Sequence, residues 1–204
     1  MNGQYIQLIC MIIQHSFSQQ TLQLYYIMDE IIKEKQEQQD CGSVIFTGLM
    51  TKNQNDERHL HYANLGDVAG FIFYNQIEKD PLDIGYLHRV EDDDEKQRIK
   101  STGAEVYCHR IEGKINVSRG FGDLNFRSKG LITDPYLSEV KITNDMEYLI
   151  IATDGLLDYI KQREIKKAIQ IGQGNTEKIA EFLLNTAIMN KSTDNISIFV
   201  MKLN

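Results

Sequence analysis

Residues 147–158 read Glu-Tyr-Leu-Ile-Ile-Ala-Thr-Asp-Gly-Leu-Leu-Asp. Tyr148 to Ala152 is a short, unbroken apolar run, the length of one strand buried on both faces. Thr153-Asp154-Gly155 ends it. A carboxylate is thereby predicted at the tip of a buried strand, beside a glycine that lets backbone or ligand come close. Hard cations such as Mg²⁺ and Mn²⁺ take oxygen ligands of this kind. A second reading needs no ligand: Asp154 caps a helix that begins after Gly155.

Downstream, helices are predicted over roughly Gln162 to Ile171 and Thr176 to Met189. A last strand, Asn195 to Leu203, follows directly on Asp194. If it pairs antiparallel with the 148–152 strand, Asp154 and Asp194 fall on the same sheet edge. Upstream, Ser16 to Gln39 reads as a helix, with Leu22, Leu24, Tyr25, Met28, Ile31 and Ile32 recurring at helical spacing and Asp40-Cys41-Gly42 stopping it. Ser43–Met50, His59–Leu65 and Ala69–Tyr74 read as an antiparallel meander, turned at Gly66-Asp67. Asp67 would join the other two aspartates if that turn points their way. Three carboxylates crowded together repel unless a cation neutralises them.

The acidic run Glu91 to Glu95 is best read as the first turn of a short helix, favoured by its dipole and closed by Gly103. A calcium loop needs glycine and spaced ligands that are missing here. Glu105 to Ile111 reads as a strand. Residues 114–135 are a long irregular segment containing Val117-Ser118-Arg119-Gly120-Phe121-Gly122-Asp123. Such a loop within a compact domain usually serves a site. Residues 1–13 are ambiguous between strand and helix.

The 204 residues suit a single domain, 1–204. A net charge of −7 argues against a nucleic-acid partner. Cys10, Cys41 and Cys108 are odd in number and widely spaced, which favours a reducing, intracellular setting, cytoplasmic or nuclear. Cys108-His109 has no partner at zinc spacing. Tyr5 to Ile13 is too short to span a membrane and lacks the features of a signal peptide. A monomer is expected.

The residues also resemble the metal-dependent PPM-type (type 2C) protein serine/threonine phosphatases. Six segments carry the resemblance, in family order: Cys41-Gly42-Ser43; Ala63-Asn64-Leu65-Gly66-Asp67; Glu95 to Gly103; Ile115 to Asp123; Ala152 to Asp158; and Ser192 to Ser197. The resemblance implies an α+β fold of two packed antiparallel sheets flanked by helices. It implies two Mg²⁺ or Mn²⁺ ions and direct, in-line attack of a metal-activated water on phosphoserine or phosphothreonine proteins. By the same resemblance Asp154 and Asp194 share a metal, and Asp67, with Asp154, matches a weaker third site. Arg119, Asp123, Gly155 and Asn195 are implied as support for the site loops, without a catalytic role.

One family element has no counterpart: the sequence contains no Asp-Gly-His-Gly-Gly, whose aspartate bridges both metals and whose histidine is the family's general acid. Val68-Ala69 replaces Ser-Arg after Gly66-Asp67, and Leu87-His88 stands where Asp-His is usual. The expectation is an N-terminally incomplete phosphatase domain lacking its first strands, with little or no turnover by this chain as written. The alternative is a pseudophosphatase that binds phosphoproteins or regulates partners. Retention of three metal-facing aspartates weighs against it. A small-molecule phosphohydrolase is a third reading, disfavoured by the lack of a Gly-rich phosphate loop.

Overall fold

The computed structural model describes residues 17–35, 41–53 and 55–204. The ambiguous segment 1–13 and the helix stop at Asp40 lie outside the described residues. Two compact units are resolved. The first holds the described residues before position 54, His59–Asp67 and Gly85–Val140. The second is mainly Val68–Ile84 and Lys141–Asn204.

The first unit opens with α1 (Phe17–Lys35), then β1 (Gly42–Ser43), β2 (Ile45–Lys52) and β3 (Arg58–Leu65). The buried stripe of α1 is Thr21, Tyr25 and Asp29, spaced four apart. The predicted apolar face is therefore only partly right, since Ile31 is exposed. Tyr25 and Asp29 in this stripe are satisfied. Tyr25 Oη and Thr47 Oγ1 are 3.1 Å apart, and Arg127 Nη2 donates to Asp29 Oδ1 at 2.6 Å. Tyr25 packs with Ile45, Ala63, Leu65 and Phe121 in one core cluster.

The second unit contributes β4 (Ala69–Tyr74) and β5 (Leu82–Ile84). The predicted meander is corrected here. Its first two strands lie in a three-stranded sheet of order β2-β3 followed by Tyr136–Ile142, but β4 belongs to a different sheet. The turn at Gly66, with φ +95°, releases the chain from the first sheet instead of returning it.

Helix α2 (Asp93–Ser101) bears out the reading of the acidic run. Asp92 is its N-cap and accepts from the amides of Asp94 and Glu95 at 3.1 and 3.2 Å. The predicted strand over 105–111 is instead a tight hairpin, β6 (Val106–Tyr107) and β7 (Arg110–Ile111). Cys108 and His109 form its turn, both with φ above +50°. The irregular segment holds β8 (Phe121–Gly122), paired with β1, and a 3₁₀ turn over Leu124–Lys129. Strand β9 (Tyr136–Ile142) completes the first sheet.

In the second unit β10 (Met146–Ala152) is the centre of a sheet of order β11-β10-β4-β5, where β11 is Ile198–Lys202. Every residue from Tyr148 to Ala152 is buried. Helices α3 (Asp154–Leu157), α4 (Gln162–Gly172) and α5 (Thr176–Met189) complete the unit. Ile165, Ala168, Ile169, Ile179, Leu183 and Ala187 from α4 and α5 pack with Tyr148 and Ile150 in one core. The final strand is shorter than predicted, so Asp194 stands four residues before it. Among the described residues no helix is long and apolar enough to cross a membrane.

Candidate functional site

Antiparallel pairing of β10 and β11 sets Ala152 opposite Ile198, and Thr153 N donates to Ser197 O at 3.2 Å. Asp154 and Asp194 therefore leave the sheet at the same edge. Thr153, not Asp154, holds the N-cap position, and Asp154 is the first residue of α3. The capping reading of Asp154 is set aside on this geometry, since the helix already includes it. The edge is closely built. Asp154 Oδ1 accepts from Gly155 N at 2.8 Å, and Asp194 Oδ1 accepts from Asn195 N at 2.7 Å. Ser192 Oγ donates to Gly155 O at 2.7 Å, and Ser197 N donates to Thr153 Oγ1 at 3.1 Å.

Gly155 is required by contact, not by φ. A Cβ there would lie 2.3 Å from Asn195 O and 3.3 Å from Asp194 Cβ. The offending atom is backbone and cannot swing away. Gly155→Ala is therefore expected to cost about 1–3 kcal/mol, the usual range for overpacking. Thermal unfolding measures this, and a change below about 0.5 kcal/mol, the scale of ordinary surface substitutions, would show that the two loops are not so tightly apposed.

Asp67, Arg119 and Asp123 belong to the first unit. Asp67 is 5% exposed, and its Oδ2 faces Arg89 Nε at 3.5 Å. Arg119 ties three segments together. Its Nη2 donates to Glu95 Oε1 at 2.5 Å, its Nε reaches the same carboxylate at 3.1 Å, and its Nη1 donates to Asp134 O at 2.9 Å. Asp123 lies against Gly42, where a Cβ would meet its Oδ2 at 2.0 Å.

Two residues that sequence reasoning passed over organise this unit. Glu95 is 3% exposed and also accepts from Arg98 Nη2 at 2.6 Å. Burial opposes its charge, but hydrogen bonds from Arg119 and Arg98 outweigh burial and hold its pKa down to about 2. His88 is fully buried. Its amide donates to Gly66 O at 3.0 Å, its Nδ1 accepts from Gly66 N at 3.2 Å, and its carbonyl accepts from Ser118 N at 2.9 Å. Burial, and then the Arg119 charge, push its pKa down to about 4. The available signals were the Glu95–Arg98 spacing of one helical turn and the presence of His88 in the altered Leu87-His88 pair.

Among the described residues no group of three or more His, Cys, Asp or Glu is arranged to hold a metal ion. The Asp154–Asp194 edge offers two carboxylates, an oxygen donor set of the kind hard divalent ions take, and hence part of a cage.

The family profile described as Protein phosphatase 2C matches residues 8–196. Protein phosphatase 2C homolog 1 of Saccharomyces cerevisiae is 32% identical over 146 residues, 71% of this chain and 50% of its own length. A probable protein phosphatase 2C 39 of Arabidopsis thaliana is 31% identical over 182 residues, 87% of this chain and 60% of its own. Protein spalten of Dictyostelium discoideum is 30% identical over 195 residues, 88% of this chain and 19% of its own. The chain thus spans about a fifth to three-fifths of the length of these curated relatives. The crystal structure of serine-threonine phosphatase 2C from Toxoplasma gondii superposes with TM-score 0.71 at 21% identity, over 90% of this chain and 66% of that one. The chain belongs to the protein phosphatase 2C family and has its α+β fold, with helices and antiparallel sheets. Members of this family are metal-dependent serine/threonine phosphatases.

Proposed function

We propose that this chain supplies the Asp154–Asp194 edge of a Mg²⁺- or Mn²⁺-dependent phosphatase site acting on phosphoserine and phosphothreonine proteins. One observation carries the reading: the β10–β11 register brings both aspartates to one sheet edge, with the Gly155 backbone between them. Asp154 and Asp194 would hold the ion, and Ser192 and Thr153 fix the loops that present them. Bound divalent ions supply activation of water for attack at phosphorus. Two carboxylates make an incomplete cage, and Mg²⁺ gives up its own water reluctantly. Since the sequence has no Asp-Gly-His, these 204 residues by themselves are expected to turn over little phosphopeptide. An intracellular setting belongs to the same proposal, and the exposed free thiol of Cys108 agrees with it.

The test is phosphate release from a phosphothreonine peptide with Mn²⁺ or Mg²⁺ titrated in, alongside Mn²⁺ binding followed by calorimetry. Asp154→Asn is run beside the parent after both are shown to be folded. The substitution should weaken Mn²⁺ binding by at least about tenfold, or about 1.4 kcal/mol. Equal affinity in the two proteins would remove Asp154 from the metal site. Brisk metal-dependent turnover by the parent would refute the expectation of an incomplete site. Metal-independent binding of phosphopeptide without turnover would instead favour the pseudophosphatase.

A further inference from the structure

Three neighbouring strands of the first unit, β2, β3 and β9, bring polar side chains to one spot. His59 and His61 alternate along β3, so both imidazoles stand on the same face of the sheet. Their rings stack, with centroids 6.3 Å apart and planes within 21° of parallel. The Glu139 carboxylate of β9 bridges them. Its Oε1 accepts a close hydrogen bond from His59 Nδ1, and its Oε2 lies 3.2 Å from His61 Nδ1. On the other side of the His61 ring, Thr51 Oγ1 of β2 lies 3.0 Å from Nε2. Phe17 of α1 packs on the same ring, centroid to centroid 5.8 Å.

The cluster lies toward the start of β3, whereas Asp67 follows the end of that strand. Two imidazoles and a carboxylate are a donor set that borderline divalent ions such as Zn²⁺ take. Donor atoms on one tetrahedral zinc stand about 3.3 Å apart, given bonds of ~2.0 Å. The 3.2 Å between His61 Nδ1 and Glu139 Oε2 already matches that edge. As they stand the side chains hold one another, so they form no open cage. An ion has to replace the hydrogen bonds that the carboxylate, an acceptor only, receives from the rings. Each neutral ring then carries its proton on Nε2 instead of Nδ1. For His61 the Thr51 hydroxyl suits either state, since it donates to a bare nitrogen and accepts from a protonated one. Glu139 is 48% exposed, so the carboxylate can turn to admit an ion from solvent.

We propose that His59, His61 and Glu139 form a metal site distinct from the aspartate edge, taking one borderline divalent ion of the zinc class. Water completes the coordination, and the ion cross-links β3 to β9 without touching substrate. Ligand type separates the two sites: the oxygen donors of Asp154 and Asp194 suit Mg²⁺ and Mn²⁺, while imidazole suits zinc. The proposal does not rest on the phosphatase reading.

Zn²⁺ is titrated into the whole chain by calorimetry with excess Mg²⁺ present, and long-range ¹H–¹⁵N NMR follows the ring nitrogens. One ion should bind with Kd below about 10 µM. At a hundred times that Kd it should raise the unfolding midpoint by about 5 °C. The Nδ1 resonances of His59 and His61 should shift with Zn²⁺ and not with Mg²⁺. His59→Gln and His61→Gln should each weaken Zn²⁺ binding at least about tenfold, or about 1.4 kcal/mol. If either variant is less stable without metal, the NMR shifts of the parent chain decide. Zinc also seeks thiolates, so Cys108→Ser is run alongside and should keep full affinity. Asp154→Asn should keep it too, so failure of the aspartate edge and failure of this site are read separately. Binding that survives His61→Gln, binding lost in Cys108→Ser, or unshifted Nδ1 resonances would overturn the site.

Discussion

Glu95→Gln should destabilise the fold by about 3 kcal/mol, the lower end of the range for breaking a buried ion pair. The carboxylate is 3% exposed and takes two guanidiniums, while Arg98 and Arg119 are 28% and 22% exposed. Removing the acid leaves two cations packed together with no anion between them. Their partial access to water is why the lower end of the range applies. Three segments are involved, because Arg98 also reaches Gly130 O and Ser118 O and Arg119 also reaches Asp134 O. For a chain of this size the loss should appear as a fall of about 6–12 °C in the unfolding midpoint. A fall of less than about 2 °C would show that solvent, not Glu95, carries the two arginines. The double variant Glu95→Gln/Arg119→Met should lose less than the sum of its single variants, since it removes both partners. Acid should act in the same direction. Glu95 has its pKa depressed on folding, so its contribution is present above the ordinary carboxylate range and is lost as pH falls toward about 2.

The acidic run shows what the sequence could and could not yield here. Its role as a helix start was legible, because cap and dipole effects are local and Asp92 satisfies them within its own turn. The special status of Glu95 was not, because its partners come from the same helix and from Arg119, 24 residues on. Nothing in the run itself separates the buried member from its exposed neighbours. Strand β10 was legible for the opposite reason: burial on both faces leaves an unbroken apolar run, and few other structures need one. Its tip aspartate followed directly. Asp194 followed only from supposing an antiparallel partner, which the β10–β11 register supplies.

The division of β3 and β4 between sheets was beyond local reading. Two strands joined by Gly66-Asp67-Val68 look like a hairpin, since turn chemistry near a glycine is the same whether the chain returns or departs. What decides the matter is that β4 pairs with β10, from Ala69 opposite Ala152 to Tyr74 opposite Met146. That partner lies more than 70 residues away, and no pattern within either strand names it. The hairpin at 106–111 was missed on similar grounds. Cys108-His109 carries no turn signal, and the fold imposes the left-handed conformation on both residues.

Lowering the pH from 6.5 to 5 should cost about 2 kcal/mol through His88 alone, and about 3 kcal/mol by pH 4. In the unfolded chain an imidazole takes its proton near pH 6.5; in the fold His88 resists until about 4. Between those values the unfolded state binds more protons, so stability rises with pH across that window and levels off above it. The cause is structural. The ring is wholly buried, its Nδ1 is engaged by the Gly66 backbone, and among the described residues its Nε2 has no hydrogen-bond partner. A second ring proton would place a charge out of water beside Arg119 and Arg98, with Glu95 and the Gly66 backbone opposing them. Urea unfolding at intervals from pH 5 to 7 would reveal the slope, and His88→Gln should flatten it even where it lowers stability overall. An unchanged slope in that variant would assign the acid sensitivity to other groups. Repeating the titration on Glu95→Gln, with His88 intact, tests the coupling further. Without the Glu95 carboxylate His88 should become still harder to protonate, so the window should extend to lower pH. Because His88 binds both Gly66 and Ser118 through its backbone, the same titration should loosen the turn that carries Asp67 and the segment that carries Arg119 together. Amide exchange at Gly66 and Ser118 should then accelerate in step as the pH falls.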